Sequence, residues 1–440
     1  MHISKRHLVR SARLLTLAVV MTAASVAVSP AAQAGARDDR AVAQWAQRRS
    51  TTLTTVDPAA PLTDLRHLSA AVGDAKIVGL GEATHGAAEI TGLKHRVLRL
   101  LVEDLGYRTV AWEEDWSLGL RINQYLRTGE GDLAGLVGRM STAWRSAEVT
   151  EVLRWIRAWN ADHRDDVTFV GVEAYATRPM IYDMVEAYVA ARAPAMLAEA
   201  VSHLEPLTPE NDDMQAHVDW YWQQVTDKGP YVRHARDLYD LVSAVPHRPG
   251  DRVHELHLQH VRQIVGFYEQ FAAANPFAYR DVHAAGNLRW THRFMGEKVA
   301  YWAASGHTID GPQLRLTQAQ YPALEFASVG SFLRDWYGSG YLSIGFTVDR
   351  GTVVSEGQVV TMPPAARDWL EAPFAAVPAD QFTLDLREHA PRPVRRWLDA
   401  PTRTRGLPEG GHESYLTGGT PRQWLDIVVH RRLVSPARTL

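Results

Sequence analysis

One stretch of the chain carries the residue types of acid–base chemistry at close spacing: Gly79-Leu80-Gly81-Glu82-Ala83-Thr84-His85-Gly86. It sits where a short apolar run hands over to an amphipathic one, and in open α/β sheets ligands gather at the carboxyl ends of strands. Three readings are open. Gly79-x-Gly81 begins like a dinucleotide loop, with Asp104 downstream, but Thr84 replaces the third glycine and Glu82 would repel a pyrophosphate. A plain tight turn with Thr84 as a helix cap is the second. The third is catalytic: a helix N-terminus disfavours imidazolium, so His85 would stay neutral beside Glu82, as a general base requires. The residue types favour the third.

Other groupings have simpler explanations. His254-x-x-His257-x-x-His260 lacks the i, i+4 spacing of a zinc helix and reads as a wet helix face with one half-buried ring. Trp220-Tyr221-Trp222 fits either a substrate cleft or core. No G-x-S-x-G occurs, and nothing builds a triad around Ser305, which precedes Gly306-His307. Cys is 0, which removes thiol nucleophiles, disulfides and cysteine metal sites.

These residues need a scaffold, and the rest of the sequence supplies one. Ala75–Leu80 is predicted as a strand. Glu89–Leu105 is predicted as a helix with Leu93, Val97, Leu101 and Leu105 on one stripe and Gly106 as its stop. Further strands are expected at Thr109–Trp112, Val167–Val172, Val299–Ala303, Tyr341–Val348 and Ile427–Val429. The predicted fold is α/β, a central mixed or parallel sheet flanked by helices. A large all-helical insertion is expected over about 179–277, with Pro276 as its exit.

The 440 residues carry a net charge of -3, with 46% apolar and 22% charged, ordinary for a globular chain without a basic field for nucleic acid. Lys5, Arg6, Arg10 and Arg13, an apolar run Leu14–Val28 and the Ala32-Gln33-Ala34 ending predict an export signal, residues 1–34, cleaved after Ala34. The run is too short for a membrane span. Cleavage would remove four positive charges and no acid, leaving residues 35–440 as an acidic, secreted catalytic domain of charge -7. A short helix, Asp38–Arg49, is expected to lead into it. Trp is in excess, 14 against 10 Phe, which suits a wide aromatic cleft.

Glu82-Ala-Thr-His85-Gly, Leu93-Lys94-His95-Arg96 and Leu105-Gly106-Tyr107-Arg108-Thr109-Val110-Ala111-Trp112-Glu113 resemble the erythromycin esterase family. So do Ala143-Trp144-Arg145, Trp155–Asn160, Tyr279-Arg280-Asp281 with Asn287, Lys298–Ala303 and Gly340–Phe346, in the family's order from about Ala41 to Val429. The resemblance implies cofactor-free, metal-independent opening of a macrolactone by water. Glu82 and His85 would be the motif carboxylate and the base, with Glu113 a second carboxylate. Two departures stand out: Lys94 replaces an arginine, and Ala303-Ala304-Ser305-Gly306-His307 keeps only the second of two histidines, with Ala304 in place of the first. Lys94 and His307 are then expected to supply charge and hydrogen bonds. Trp112, Trp144, His283, Trp220 and Trp222 are expected to face a bulky apolar substrate, His283 standing in for the missing imidazole. The expected protein is a monomeric hydrolase of small-molecule esters or lactones. A non-hydrolytic biosynthetic enzyme of the same fold and a catalytically impaired binding homologue remain as alternatives.

Overall fold

The computed structural model describes residues 30–318 and 321–440. The apolar run of the expected export signal lies outside the described residues. The chain divides into two units, Met1–Arg37 and Asp38–Leu440. The described part of the first is helical from Pro30, and the rest of the structure concerns the second. Among the described residues no helix is long and apolar enough to cross a membrane.

The central strands form on short, continuously buried apolar runs. β1 is Ile77–Glu82, β2 Thr109–Asp115, β3 Thr168–Glu173, β4 Val299–Ala304, β5 Tyr341–Ser355, β6 Gln358–Met362, β7 Gln381–Asp385 and β8 Ile427–Val434. With the two-residue strand Thr51–Thr52 they make one nine-stranded mixed sheet. Its order is Thr51–Thr52, β7, β8, β5, β1, β4, β2, β3, with β6 hairpinned onto β5. From β8 to β3 every neighbouring pair is parallel, while β7, β6 and Thr51–Thr52 pair antiparallel. A second sheet of four short strands lies outside the sequence expectations, as do β6 and β7.

Strand residues point alternately to two faces, and each face has its own helical cover. On one, Val78, Leu80, Val110, Trp112, Ala300 and Trp302 meet α1 (Ala88–Glu103), α2 (Trp116–Thr128) and α3 (Ala147–Asp162). On the other, Ile77, Ala111, Val172, Val299 and Tyr301 meet α4 (Pro179–Arg192), α5 (Gly229–Ser243), α6 (Arg252–Ala272) and α7 (Pro276–Met295). Between β3 and β4 the described elements are all helical or 3-10 and π turns. The stretch does not end at Pro276. That proline occupies the first turn of α7, where its missing N–H costs nothing, and Asn275 caps the helix.

Two local expectations change. His254 and His260 are buried rather than wet. His260 Nδ1 accepts from Trp116 Nε1 at 2.9 Å and burial pushes its ring down to about 3, while His254 stacks on His247. Trp112, expected in a cleft, is fully buried, stacked at 4.4 Å on Trp302 and flanked by Phe169. It is core between sheet and helices, and the other fully buried tryptophans (Trp45, Trp302, Trp369, Trp424) show where most of the aromatic excess goes. Replacing Trp112 with Ala should cost about 3–5 kcal/mol through lost burial and a cavity. Chemical denaturation tests this, and a loss below about 1 kcal/mol would mean the ring is not packed as described.

Candidate active site

The order β1-β4-β2-β3 places four strand ends side by side, and three of them end in or near a glutamate. Glu82 closes β1, Glu113 lies near the end of β2 and Glu173 closes β3; Ala304 closes β4, opposite Glu82 in register. β1 feeds into a loop, Ala83–Ala87, that carries His85 and enters α1. Gly81 explains the Gly-x-Gly spacing. A Cβ there would lie 1.9 Å from Thr308 Oγ1, so the glycine lets the Ser305–Thr308 turn pack against the strand and has no role toward a phosphate. Thr84 does not cap α1; its hydroxyl bonds the His85 carbonyl, and the helix starts at Ala88 with Ala87 at the cap position and no side-chain cap.

Glu82 is buried and holds two partners. One oxygen accepts from His85 Nδ1 at 2.6 Å, the other from Lys94 Nζ at 2.6 Å. Lys94, on the first face of α1, is fully buried, also donates to the Ala303 carbonyl and lies 4.3 Å over the Trp302 ring. Burial pushes Lys94 down to about 8 against the pull of Glu82. His85 is 28% exposed, its ring edge-on to Trp144 at 4.7 Å. Burial works against its charge, but the hydrogen bond and charge of Glu82, with Glu113 behind, hold it above the ordinary imidazole value. The expectation of a ring kept neutral by the helix end is therefore corrected: a carboxylate in contact outweighs partial charges a turn away.

Glu113 anchors a second group. Its Oε1 accepts from Arg280 Nη2 at 2.7 Å and faces His307 Nε2 at 3.3 Å; its Oε2 accepts the backbone N–H of Ala304 at 2.8 Å. Burial alone would raise this carboxyl, yet His307, Arg280 and His85 hold it well below the usual range. Arg280, on α7, also clamps Glu173 through Nε (2.9 Å) and Nη2 (3.1 Å). Asp281, next on the helix, receives His307 Nδ1 at 2.9 Å and the Val329 N–H at 3.0 Å. His307 thus bridges Asp281 and Glu113. Asn287 fixes α7 by donating to the Val172 carbonyl and bonding Gln259 and Gln263 of α6.

Of the residues expected at the site, Glu82, His85, Lys94, Glu113, His307 and Trp144 come together. Trp144 also donates Nε1–H to the Glu113 carbonyl at 2.8 Å. Others do not join them. His283 bonds Gln263 and stacks on Tyr279, and burial pushes it down to about 4. Trp220 packs with Tyr221 and Tyr231, and Trp222, 49% exposed, with Phe271. Their neighbours are residues of the helical layer. Sequence reasoning missed Glu173, Arg280 and Asp281 as functional side chains. For Glu173 the signal was present, an acid directly after a predicted strand, as with Glu113. Among the described residues no three His, Asp or Glu side chains are grouped as a metal ion would need.

The sequence matches the family profile described as erythromycin esterase over residues 102–433. That span contains Glu113, Glu173, Arg280, Asp281 and His307 and leaves out Glu82, His85 and Lys94. An Escherichia coli protein described as erythromycin esterase type II is 30% identical over 110 residues, 25% of this chain and 26% of that one. The alignment therefore spans about a quarter of that relative's length. A Bacillus cereus protein of known crystal structure superposes with a TM-score of 0.79 at 26% identity, covering 91% of this chain and 99% of that one. A mutant erythromycin esterase in its open conformation gives 0.70 at 15% identity, covering 88% and 98%.

The His307 geometry has a pH signature. Burial opposes its charge, but Asp281 and Glu113 prevail and lift the ring from 6.5 to about 10. A base raised on folding stabilises fully below its unfolded value and loses that contribution as pH rises through the folded one. Lys94, lowered from 10.5 to about 8, acts in the opposite sense, but only from about pH 8 upward. Between pH 6.5 and 8 the denaturation midpoints of the native protein and His307→Gln should therefore converge. Parallel midpoints across that window would mean the ring carries no extra proton.

Proposed function

The chain belongs to the erythromycin esterase family, and on that premise we propose that it hydrolyses an ester or lactone bond of a bulky, largely apolar small molecule, with His85 as the general base. The observation that carries the reading is the posture of His85. Its Nδ1 is spent on buried Glu82, while Nε2 has no partner among the described residues and the ring is partly exposed. A carboxylate can only accept, so Nδ1 bears the hydrogen and the neutral ring keeps its lone pair on Nε2.

The steps follow from that tautomer. Nε2 takes a proton from water as the water oxygen adds to the substrate carbonyl carbon. The resulting oxyanion meets the cationic side of the cleft, where Arg280 is 17% exposed and its Nη1 has no partner among the described residues. The tetrahedral intermediate collapses, the carbon–oxygen bond to the alcohol breaks, and the imidazolium returns its proton to the leaving alkoxide. Water is consumed, and one carboxyl and one hydroxyl appear. Glu82 fixes the ring and stabilises its charged form, and Lys94 holds the other oxygen of Glu82 in place. Glu113 orders Arg280 and His307. Trp144 is the one expected aromatic that lies against the base, but it is buried and backs the ring from the core instead of facing a substrate. Met1–Ala34 is read as an export signal, which N-terminal sequencing of the secreted protein would test.

His85→Gln should lower kcat by about 10²–10⁴-fold and leave the thermal unfolding midpoint nearly unchanged. In the native enzyme kcat/KM should rise with pH through a midpoint above 6.5, since the base must be neutral and Glu82 holds it charged longer. A panel of macrolides and other lactones incubated in ¹⁸O-labelled water, read by mass spectrometry, tests the reaction class. Turnover without solvent oxygen in the product would replace hydrolysis with acyl transfer or elimination, and full activity in His85→Gln would remove the base.

A further inference from the structure

The loop that carries His85 is gripped from outside by a part of the chain distant in sequence. Gly86, directly after the histidine, has φ 68, and a Cβ there would lie 1.9 Å from the Val354 carbonyl oxygen, so β5 presses on the loop. The Gly86 carbonyl accepts from Val354 N at 3.0 Å and from Ala437 N at 2.8 Å. Ala87 and Pro436 form an isolated antiparallel bridge, and Ala88 N donates to the Ser435 carbonyl at 3.0 Å. Ser435 in turn donates its N–H and hydroxyl to the Glu89 carboxylate, at 2.8 and 2.7 Å.

The same segment then crosses to the opposite wall of the cleft. The Arg438 carbonyl accepts from Ala147 N at 2.8 Å, and Ser146 and Thr439 form a second bridge. Arg438 donates its N–H and Nε to Glu148 at 3.1 and 2.9 Å, and a terminal nitrogen to Glu151 at 2.9 Å. Ser146 and Ala147 begin α3, two residues after Trp144, whose ring meets His85 and whose Nε1–H is tied to Glu113. A continuous ring of contacts results: His85, Gly86, Ala437, Arg438, Ala147, Trp144 and back to His85.

We propose that Ser435–Thr439 is a positioning strap that sets the distance between the His85 loop and the Trp144 loop and thereby holds the imidazole on Glu82. The main-chain bonds carry it. The Arg438 ion pairs are exposed and individually weak, so they fix register more than strength. The loop needs an outside clamp because α1 begins without a side-chain cap and Gly86 sits in a conformation few residues share.

The proposal rests on the reading of His85 as the base, but its test does not require turnover. The charged groups facing the ring are Glu82 and Glu113 from the strand ends and Lys94 from α1. Glu82 is the one in contact, so slackening the loop should weaken the hold on the imidazolium. The imidazole titration of His85 is followed by NMR and assigned by its loss in His85→Gln. It is compared in the full chain, in a chain ending at Val434, in Ala437→Pro, which removes the N–H to Gly86, and in Arg438→Ala. The expected result is a titration midpoint lowered toward 6.5, by about half a pH unit or more in the shortened chain and Ala437→Pro and by less in Arg438→Ala. If the shortened chain fails to fold, Ala437→Pro and Arg438→Ala decide. Unchanged midpoints in folded variants overturn the strap. An absence of hydrolysis with the shift present overturns the functional reading and leaves the strap standing. Where a substrate is in hand, Ala437→Pro should lower kcat several-fold with KM nearly constant.

Discussion

Four of the carboxylates at one end of the sheet line the site, all of them out of water. Glu82, Glu113, Glu173 and Asp281 are each buried, and a buried carboxylate persists only if cations and donors replace its hydration. Lys94, Arg280 and His307 are those cations, and His85 is drawn toward becoming a fourth. This balance explains why the pieces of the site come from so many elements. Each acid sits on a strand end or helix, and each counter-charge arrives from a different helix or loop. The fold must bring α1, α7 and the turn after β4 to the same edge or leave a charge stranded.

The groups divide by exposure into a floor and a rim. The acids are the floor, each about a tenth exposed or less, with His307 nearly as deep, while His85 and Arg280 are the parts that a ligand can meet. Anything entering from solvent therefore meets donors backed by charge, not bare carboxylates. Water-poor surroundings strengthen those donors, and their fixed partners spare the reorganisation that free side chains would need. The tryptophan stack under Lys94, Trp302 on Trp112, keeps water from reaching the lysine from below.

The parallel sheet and the helices on its first face were legible because their signals are local: a short apolar run for Val299–Ala303, and a 3.6-residue stripe for the helix after His85. β7 and the second sheet were not legible, since Gln381–Asp385 and the short strands around Leu314 and Tyr415 gain their order from pairing across long sequence distances. At the site, Glu82 and His85 could be read from their three-residue spacing at a strand end. Arg280 and Asp281 could not be given roles, because nothing in an amphipathic helix says which polar side faces a cleft. The neutral His85 expected from the helix end failed for a physical reason. Position relative to a helix was visible in the sequence, but contact with Glu82 at hydrogen-bond distance was not. The tryptophans misled in the opposite direction, since composition cannot separate a lining ring from a buried one.

At Ala304 the group that serves Glu113 is the backbone N–H. Position 304 lies between Glu82 and Glu113 and takes part in their balance through its main chain only. Because the main chain makes that bond, it does not depend on which side chain the position carries. The site thus has one position in an otherwise interlocked floor that holds its acid through the backbone alone, with no side-chain group committed to the task.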